Sequence, residues 1–75
     1  MVIISFDMTN VTPLKRIKFS KTLLERGWEK PYKTKTTYIW RGNNPVTAIG
    51  DFMVLLVNLK LKKHVTHLVV HMFRD

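Results

Sequence analysis

An aspartate ends the first apolar stretch of the chain. Asp7 follows the run Val2 to Phe6, and it is the only acid in the first 24 residues of a chain with 13 Lys+Arg and 5 Asp+Glu. A carboxylate at the end of a buried strand needs a partner, and Mg²⁺ and Mn²⁺ prefer such oxygen ligands. Asp7 is therefore the candidate catalytic residue and metal ligand, with two copies meeting at a dimer axis. The alternative is that Asp7 accepts hydrogen bonds from loop amides or pairs with Arg16.

The segment from Lys30 to Arg41 interleaves bases with aromatic rings. Lysine and arginine neutralise phosphates, and exposed rings stack on unpaired bases. The alternative is an edge hairpin whose rings point into the core and whose lysines protect the edge. Bases of the preceding helical segment add to the first interpretation. The candidate nucleic-acid-binding residues are Lys15, Arg16, Lys18, Lys30, Tyr32, Lys33, Lys35, Tyr38, Trp40 and Arg41.

Two histidines, His67 and His71, are four residues apart near the end of the chain. On a helix this spacing can chelate zinc, whereas on a strand the two side chains lie about 13 Å apart at ~3.3 Å per residue. The surrounding residues alternate and are β-branched, so the sequence predicts a strand and argues against a zinc site. His64, at the start of this strand, is predicted to lie near the strand end that carries Asp7.

The elements that must position these residues occur in the order β-α-β-β-α-β. Thr12-Pro13 and Asn44-Pro45 each predict an N-cap followed by proline at the first helical position, and Gly27 is a natural helix end. Pro31 is suited only to an edge strand, and a single longer strand is the alternative to the hairpin. The predicted elements are a strand over 2–7, a helix over 13–26, a hairpin of 28–32 and 36–41, a helix from 45 to about 60 and a strand over 64–74.

This order predicts an α+β fold in one domain, residues 1–75. It corresponds to a ferredoxin-like β-α-β-β-α-β sandwich, in which right-handed crossovers place both helices on one face of an antiparallel sheet. The first strand is then central. So short a chain is expected to cover its open sheet face with a second copy, and Ile3, Val65, Val69 and Phe73 are the predicted contributors to this homodimer.

Composition narrows the function classes further. A formal net charge of +8 on 75 residues favours polyanionic partners, nucleic acid first, although lysine also keeps a small apolar domain in solution. The absence of cysteine excludes disulfides and thiolate metal sites. No phosphate-binding loop or zinc-protease motif occurs, and most hydrolase and transferase chemistries lack the acids they need. No signal peptide or membrane-spanning run is present, so we expect a cytoplasmic protein with no membrane partner.

The segment from Val2 to Trp40 resembles a known group of proteins. Its features are Ile3-Ile4-Ser5-Phe6-Asp7, a Thr-Pro loop, a basic helix ending Leu23-Leu24-Glu25-Arg26-Gly27-Trp28, and a hairpin. These are similar to the small dimeric ferredoxin-like group that contains the nuclease-fold subunit of CRISPR adaptation complexes, the VapD ribonucleases and the GhoS antitoxin ribonuclease. The resemblance implies that Asp7 is the metal-associated acid and that Arg16 is a helix base near the phosphate path.

Three functions remain open on the sequence. The favoured one is a small basic regulator of antitoxin, phage or plasmid type that binds nucleic acid, RNA in the first place, without a cofactor. The second is a metal-dependent endoribonuclease that uses Asp7 with Mg²⁺ or Mn²⁺. The third is a protein inhibitor of a toxin or host enzyme, which would be its partner.

Overall fold

The chain folds into two helices and an antiparallel sheet, as shown by a computed structural model that describes residues 1–32 and 36–74. The elements are β1 (Val2–Met8), α1 (Pro13–Glu25), β2 (Thr37–Trp40), α2 (Pro45–Asn58), a 3₁₀ turn (Lys62–His64) and β3 (Val65–Met72). The strand order is β2-β1-β3, with both pairings antiparallel. The predicted α+β class and the central first strand are confirmed. The predicted turn over 33–35 lies outside the described residues.

The central strand β1 divides its side chains between a core face and an open face. Val2, Ile4 and Phe6 are at most 4% exposed, whereas Asp7 is exposed. Both helices pack on the core face, because the ring of Phe6 meets Phe19 of α1 at 5.9 Å and Phe52 of α2 at 5.6 Å. The period-two pattern that predicted β1 therefore also predicted which of its side chains form the core.

The helix boundaries follow the signals in the sequence with one exception. Thr12 caps α1, since its hydroxyl accepts a hydrogen bond from the amide of Lys15. Gly27 ends the helix with φ of +100°, and the amide of Trp28 donates to the carbonyl of Leu23 at 3.0 Å, which closes a Schellman motif. At α2 the prediction is wrong in part: Asn44 precedes Pro45 but is left-handed, and its side chain makes no capping hydrogen bond.

The first arm of the predicted hairpin does not form a strand among the described residues. Glu29 makes an isolated bridge to Ile39, with two backbone hydrogen bonds of 2.8 Å. Pro31 follows two residues later and has no amide hydrogen to continue a ladder. The prediction of a strand over 28–32 is therefore wrong, and the sheet has three strands in the part of the chain that the structure describes.

A β-bulge in β3 changes which face its first residues occupy. Ser5 is opposite Val69 and Asp7 is opposite Thr66, so β3 has an extra residue at this point. His67 lies there with φ of +53°, a left-handed conformation that is uncommon outside glycine. As a result Val65 packs against the core, and the prediction that Val65 belongs to the open face is wrong.

Several apolar side chains remain on the surface. In α1, Phe19 and Leu23 enter the core, but Leu14 and Ile17 are 79% and 63% exposed. The broad apolar arc that the sequence shows in α1 is therefore only partly used by the fold. Within the described ranges, neither helix has the length and apolar character needed to cross a membrane.

Candidate nucleic-acid interface

Lysines from distant parts of the chain meet where α1 begins and α2 ends. Lys15 and Lys18 of α1 line a groove of about 340 Å³ together with Lys60, which follows α2. Lys60 also lines an adjoining hollow of about 290 Å³ with Lys62 and Lys63. We call this region the basic end, and it comprises Lys15, Arg16, Lys18, Lys60, Lys62 and Lys63.

The basic end lies beside the end of β1 at which Asp7 lies. The guanidinium of Arg16 donates a hydrogen bond of 3.1 Å to the carbonyl of Met8, the last residue of β1. On the other side, the amide of Thr9 donates to the carbonyl of His64 at 3.0 Å, directly after the lysine pair Lys62-Lys63. An ion pair between Asp7 and Arg16, the alternative considered from the sequence, does not occur within residues 1–32 and 36–74.

Charge is distributed unequally along the molecule. At the opposite end, Arg41 forms an ion pair of 2.8 Å with Glu29, and Arg26 and Asp51 line the same hollow. Charges there largely cancel, since Glu25 and Arg74 add one of each sign. Of the acids that the structure describes, only Asp7 lies near the basic end, and no carboxylate in the described ranges pairs with the lysines of that end. Among the described residues, the basic end therefore holds most of the uncompensated charge.

Two of these lysines occupy positions that are unfavourable for the fold. Lys15 is the third residue of α1, where the helix dipole repels cations, and the first turn contains no acid. Lys60 has φ of +58° at the end of α2, in a Schellman motif where glycine is less strained. Positions at which local preferences are broken without a compensating contact are typical of binding surfaces.

A cleft of about 650 Å³ opens beside Asp7 on the open face of the sheet. Its walls come from β1, β2, the bulge in β3 and the segment before β2. The hydroxyls of Ser5 and Thr37 lie 3.3 Å apart, and the hydroxyl of Thr36 donates to the carbonyl of Phe6. The residues that line the cleft are Ser5, Phe6, Asp7, Tyr32, Thr36, Thr37 and His67.

Tyr38, one of the predicted stacking residues, lies in the core. It is 2% exposed, stacks on Phe6 at 6.0 Å, and has the Lys30 ammonium 5.9 Å from its ring centroid. Burial raises the pKa of Tyr38 above its ordinary value of 10.0, opposed by a hydrogen bond with Ser20, so the phenol is neutral near pH 7. This ring has no exposed face for a base, and the arrangement matches the alternative in which hairpin aromatics point inward.

The remaining predicted residues of this segment divide between the two ends of the sheet. Tyr32 is 52% exposed and lines the cleft beside Asp7. Trp40 pairs with Val2, five residues along β1 from Asp7, or about 16 Å at ~3.3 Å per residue. Its indole N–H donates to the carbonyl of Asn43 at 3.0 Å, and Arg41 is next to it. Lys33 and Lys35 lie outside the described residues.

The site contains few groups that suit a metal ion. Within the described residues, no three or more side chains of His, Cys, Asp or Glu are grouped to hold one. Asp7 and His67 line the same cleft, and a divalent ion there would need water, phosphate or a second copy to complete its coordination. His64 lies near the Asp7 end of the sheet as predicted, through its hydrogen bond with Thr9.

The candidate residues that the sequence analysis missed are the three lysines after α2. Their signal is the run Lys60-Leu61-Lys62-Lys63, in which Leu61 is fully buried and the lysines around it are exposed. The sequence predicts that Lys60 lies at the end of the second helix, where a lysine interacts favourably with the helix dipole. Because this explains Lys60 by itself, the basic run to which it belongs was missed.

We compared the chain with protein-family models, with curated proteins and with solved structures. None of the three comparisons gives a match. The assignment of function therefore depends on the geometry and the charge of the chain itself.

Proposed function

We propose that this protein binds nucleic acid, RNA in the first place, through its basic end. The observation that carries the proposal is the segregation of charge, because lysines from α1 and from the segment after α2 line one groove while the opposite end is nearly balanced. A polyanion that contacts this end releases its counterions and replaces the missing acidic partners.

A protein inhibitor is the alternative binding function. An acidic protein surface would also be attracted to the basic end, but protein interfaces depend on a central apolar or aromatic cluster. The groove at the basic end is lined mainly by lysine, with Asn58 and Leu59 between them. Flexible lysine side chains are better suited to the regularly spaced phosphates of a nucleic acid than to a protein surface. The exposed Tyr32 and the nearby cleft favour unpaired bases, which are most accessible in RNA.

The topology is compatible with a ferredoxin-like fold in which the second of the four strands is shortened to a single bridge. Glu29 bridges Ile39 on the side of β2 away from β1, which is where the missing strand of a β-α-β-β-α-β sandwich would lie. We include this finer assignment in the proposal, together with the resemblance to the small dimeric ferredoxin-like group that contains ribonucleases and antitoxins.

The first test is a salt titration of RNA binding. Fluorescence anisotropy with a labelled single-stranded octamer should give a log K against log[salt] slope between about −2 and −4, which is about −0.7 for each of three to six phosphates contacted. No affinity for RNA or DNA at 20 mM salt would reject the proposal and favour the protein-inhibitor function. A slope near zero would place the contacts away from the basic end.

A second candidate function, metal-dependent RNA cleavage, is tested with the same sample. It is favoured by one observation: Asp7 is exposed in a cleft that His67 also lines. Incubation of the octamer with Mg²⁺ or Mn²⁺ leaves it intact if the protein only binds RNA. Cleavage that stops in EDTA and in Asp7→Asn would establish the enzyme instead.

The assembly that accompanies this function is a homodimer. In the part of the chain that the structure describes, strand β3 pairs only with β1 and is therefore an edge strand. It carries no Lys, Arg, Asp or Glu from Val65 to Met72, and it leaves Val69 and Met72 46% and 52% exposed. Natural edges usually carry charges or prolines that prevent pairing. Antiparallel pairing of two β3 edges about a twofold axis gives hydrogen-bond partners to the edge backbone groups of both strands at once.

We expect light scattering at 50 μM to give a mass of twice the 8.9 kDa chain. Val69→Lys should shift the mass to that of one chain, because a charge on this edge opposes strand pairing. Val54→Lys, on an exposed position of α2, is the control and should leave the mass unchanged. A wild-type mass of one chain at 50 μM would contradict the dimer.

A further inference from the structure

The cleft beside Asp7 has hydrogen-bonding groups whose chemistry differs from that of the basic end, and none of the basic-end residues lines it. The hydroxyls of Ser5 and Thr37 are close enough to bond to each other, and the hydroxyl of Thr36 is used by the carbonyl of Phe6. The Asp7 carboxylate is exposed and has no hydrogen-bond partner among the described residues. Its oxygens are therefore the strongest free acceptors in the cleft.

The charge of Asp7 disfavours a phosphate at the place where it lies. A carboxylate near the basic end weakens the attraction of any phosphate that approaches it, so it lowers nonspecific affinity. A neutral group that donates hydrogen bonds is the ligand that such a position favours. In an RNA strand whose phosphates follow the lysines, the neutral donors are the bases and the ribose 2′-hydroxyls, and of these only a base also has a ring face that can stack.

The pattern of acceptors selects among the bases. An ionised carboxylate offers two acceptors side by side and no donor. The Watson–Crick edge of guanine presents two adjacent donors, the N1–H and the N2 amino group, and guanine can therefore bind both oxygens of one carboxylate. The same edges of adenine, cytosine and uracil each present only one donor group, next to an acceptor. Tyr32, 52% exposed on the cleft wall, offers a ring on which the base can stack.

We infer that the cleft is a binding site for one unpaired guanine of single-stranded RNA, held by Asp7 and stacked against Tyr32. The inference rests on the proposed RNA-binding function and adds base preference to it. The lysines of the basic end provide the affinity that all sequences share, and Asp7 provides the discrimination between them.

The test uses a uridine octamer and three octamers that have guanosine, inosine or adenosine at one central position, all in EDTA. We expect the guanosine octamer to bind about tenfold more tightly than the uridine octamer. Inosine lacks the N2 amino group, so its octamer should lose most of this gain. The adenosine octamer should bind like the uridine octamer, apart from a small stacking effect.

Asp7→Asn separates the two contributions to binding. The amide offers one acceptor and one donor, so the preference for guanosine should disappear. Affinity for the uridine octamer should rise slightly, because one negative charge has been removed. Asp51→Asn at the opposite end is the matched control and should keep the preference.

Each outcome distinguishes this inference from the function on which it rests. Equal affinity for all four octamers overturns the guanine site and leaves RNA binding in place. A preference that persists in Asp7→Asn also overturns it. No binding of any octamer overturns the proposed function itself. If the guanosine preference is absent in EDTA and appears only in a parallel titration with Mg²⁺, a metal ion makes the contact instead of the carboxylate alone, and the inference is overturned.

Discussion

Phe52→Ala should lower the free energy of unfolding by about 3–5 kcal/mol, the usual cost of removing a large buried ring. Phe52 is fully buried, and its ring lies 5.3–6.1 Å from those of Trp28, Phe19, Phe6 and Tyr38. Through these rings α2 joins α1 and the sheet in one aromatic core. A domain of this size has a total stability of about 4–11 kcal/mol, so much of it should be lost.

Chemical denaturation followed by circular dichroism measures this loss. Val54→Ala is the matched control, because Val54 is in the same helix but 55% exposed, and it should change the free energy of unfolding by about 0.5 kcal/mol or less. A loss below about 1 kcal/mol in Phe52→Ala would show that the aromatic cluster is not the centre of the core.

The parts of the fold that the sequence predicts correctly are those set by local chemistry. The alternation from Val2 to Phe6 predicts the two faces of β1, and Thr12-Pro13 and Gly27 predict the ends of α1 to within one residue. These signals succeed because one or two residues decide each of them, through side-chain period, capping or positive φ.

The parts that the sequence does not predict depend on tertiary context. The alternating pattern of β3 carries no sign of the bulge at His67, because the bulge is defined only by the register with β1. The β-favouring residues from Trp28 to Tyr32 predict a strand, but the chain forms one bridge before Pro31. Strand formation requires a partner edge in register, and propensity alone does not supply it.

The candidate site shows the same division. Lys15, Arg16 and Lys18 are visible in the sequence as bases near a helix start, and the structure places them at the basic end. They come close to Lys60 only in the folded protein, because α1 and the end of α2 are far apart in the chain. Tyr38 is predicted to lie in the site but does not belong to it. Its position among lysines in the sequence suggests a binding surface, but side chains alternate between the two faces of β2, and that of Tyr38 lies on the core face.

A triple variant of the groove, Lys15→Glu with Lys18→Glu and Lys60→Gly, should weaken RNA binding by about 100-fold or more at 50 mM salt, because it removes three phosphate contacts. Its fold should be unharmed. Lys15→Glu completes a capping box with Thr12 and favours the helix dipole, and Lys60→Gly relieves the left-handed strain at φ of +58°. Thermal unfolding should therefore show equal or higher stability alongside the lost binding.

The control must change the net charge equally at the other end of the molecule. Arg26→Glu with Arg74→Glu and Arg41→Gln lowers the formal net charge from +8 to +3, as the groove variant does. Arg41→Gln removes an exposed ion pair with Glu29 that contributes about 0–1 kcal/mol. If the basic end is the interface, this control should lose less than about tenfold in affinity for RNA. Its lower net charge slows the association with RNA but removes no contact. Equal losses in the two variants would mean that RNA responds only to total charge and that the groove is not its binding site.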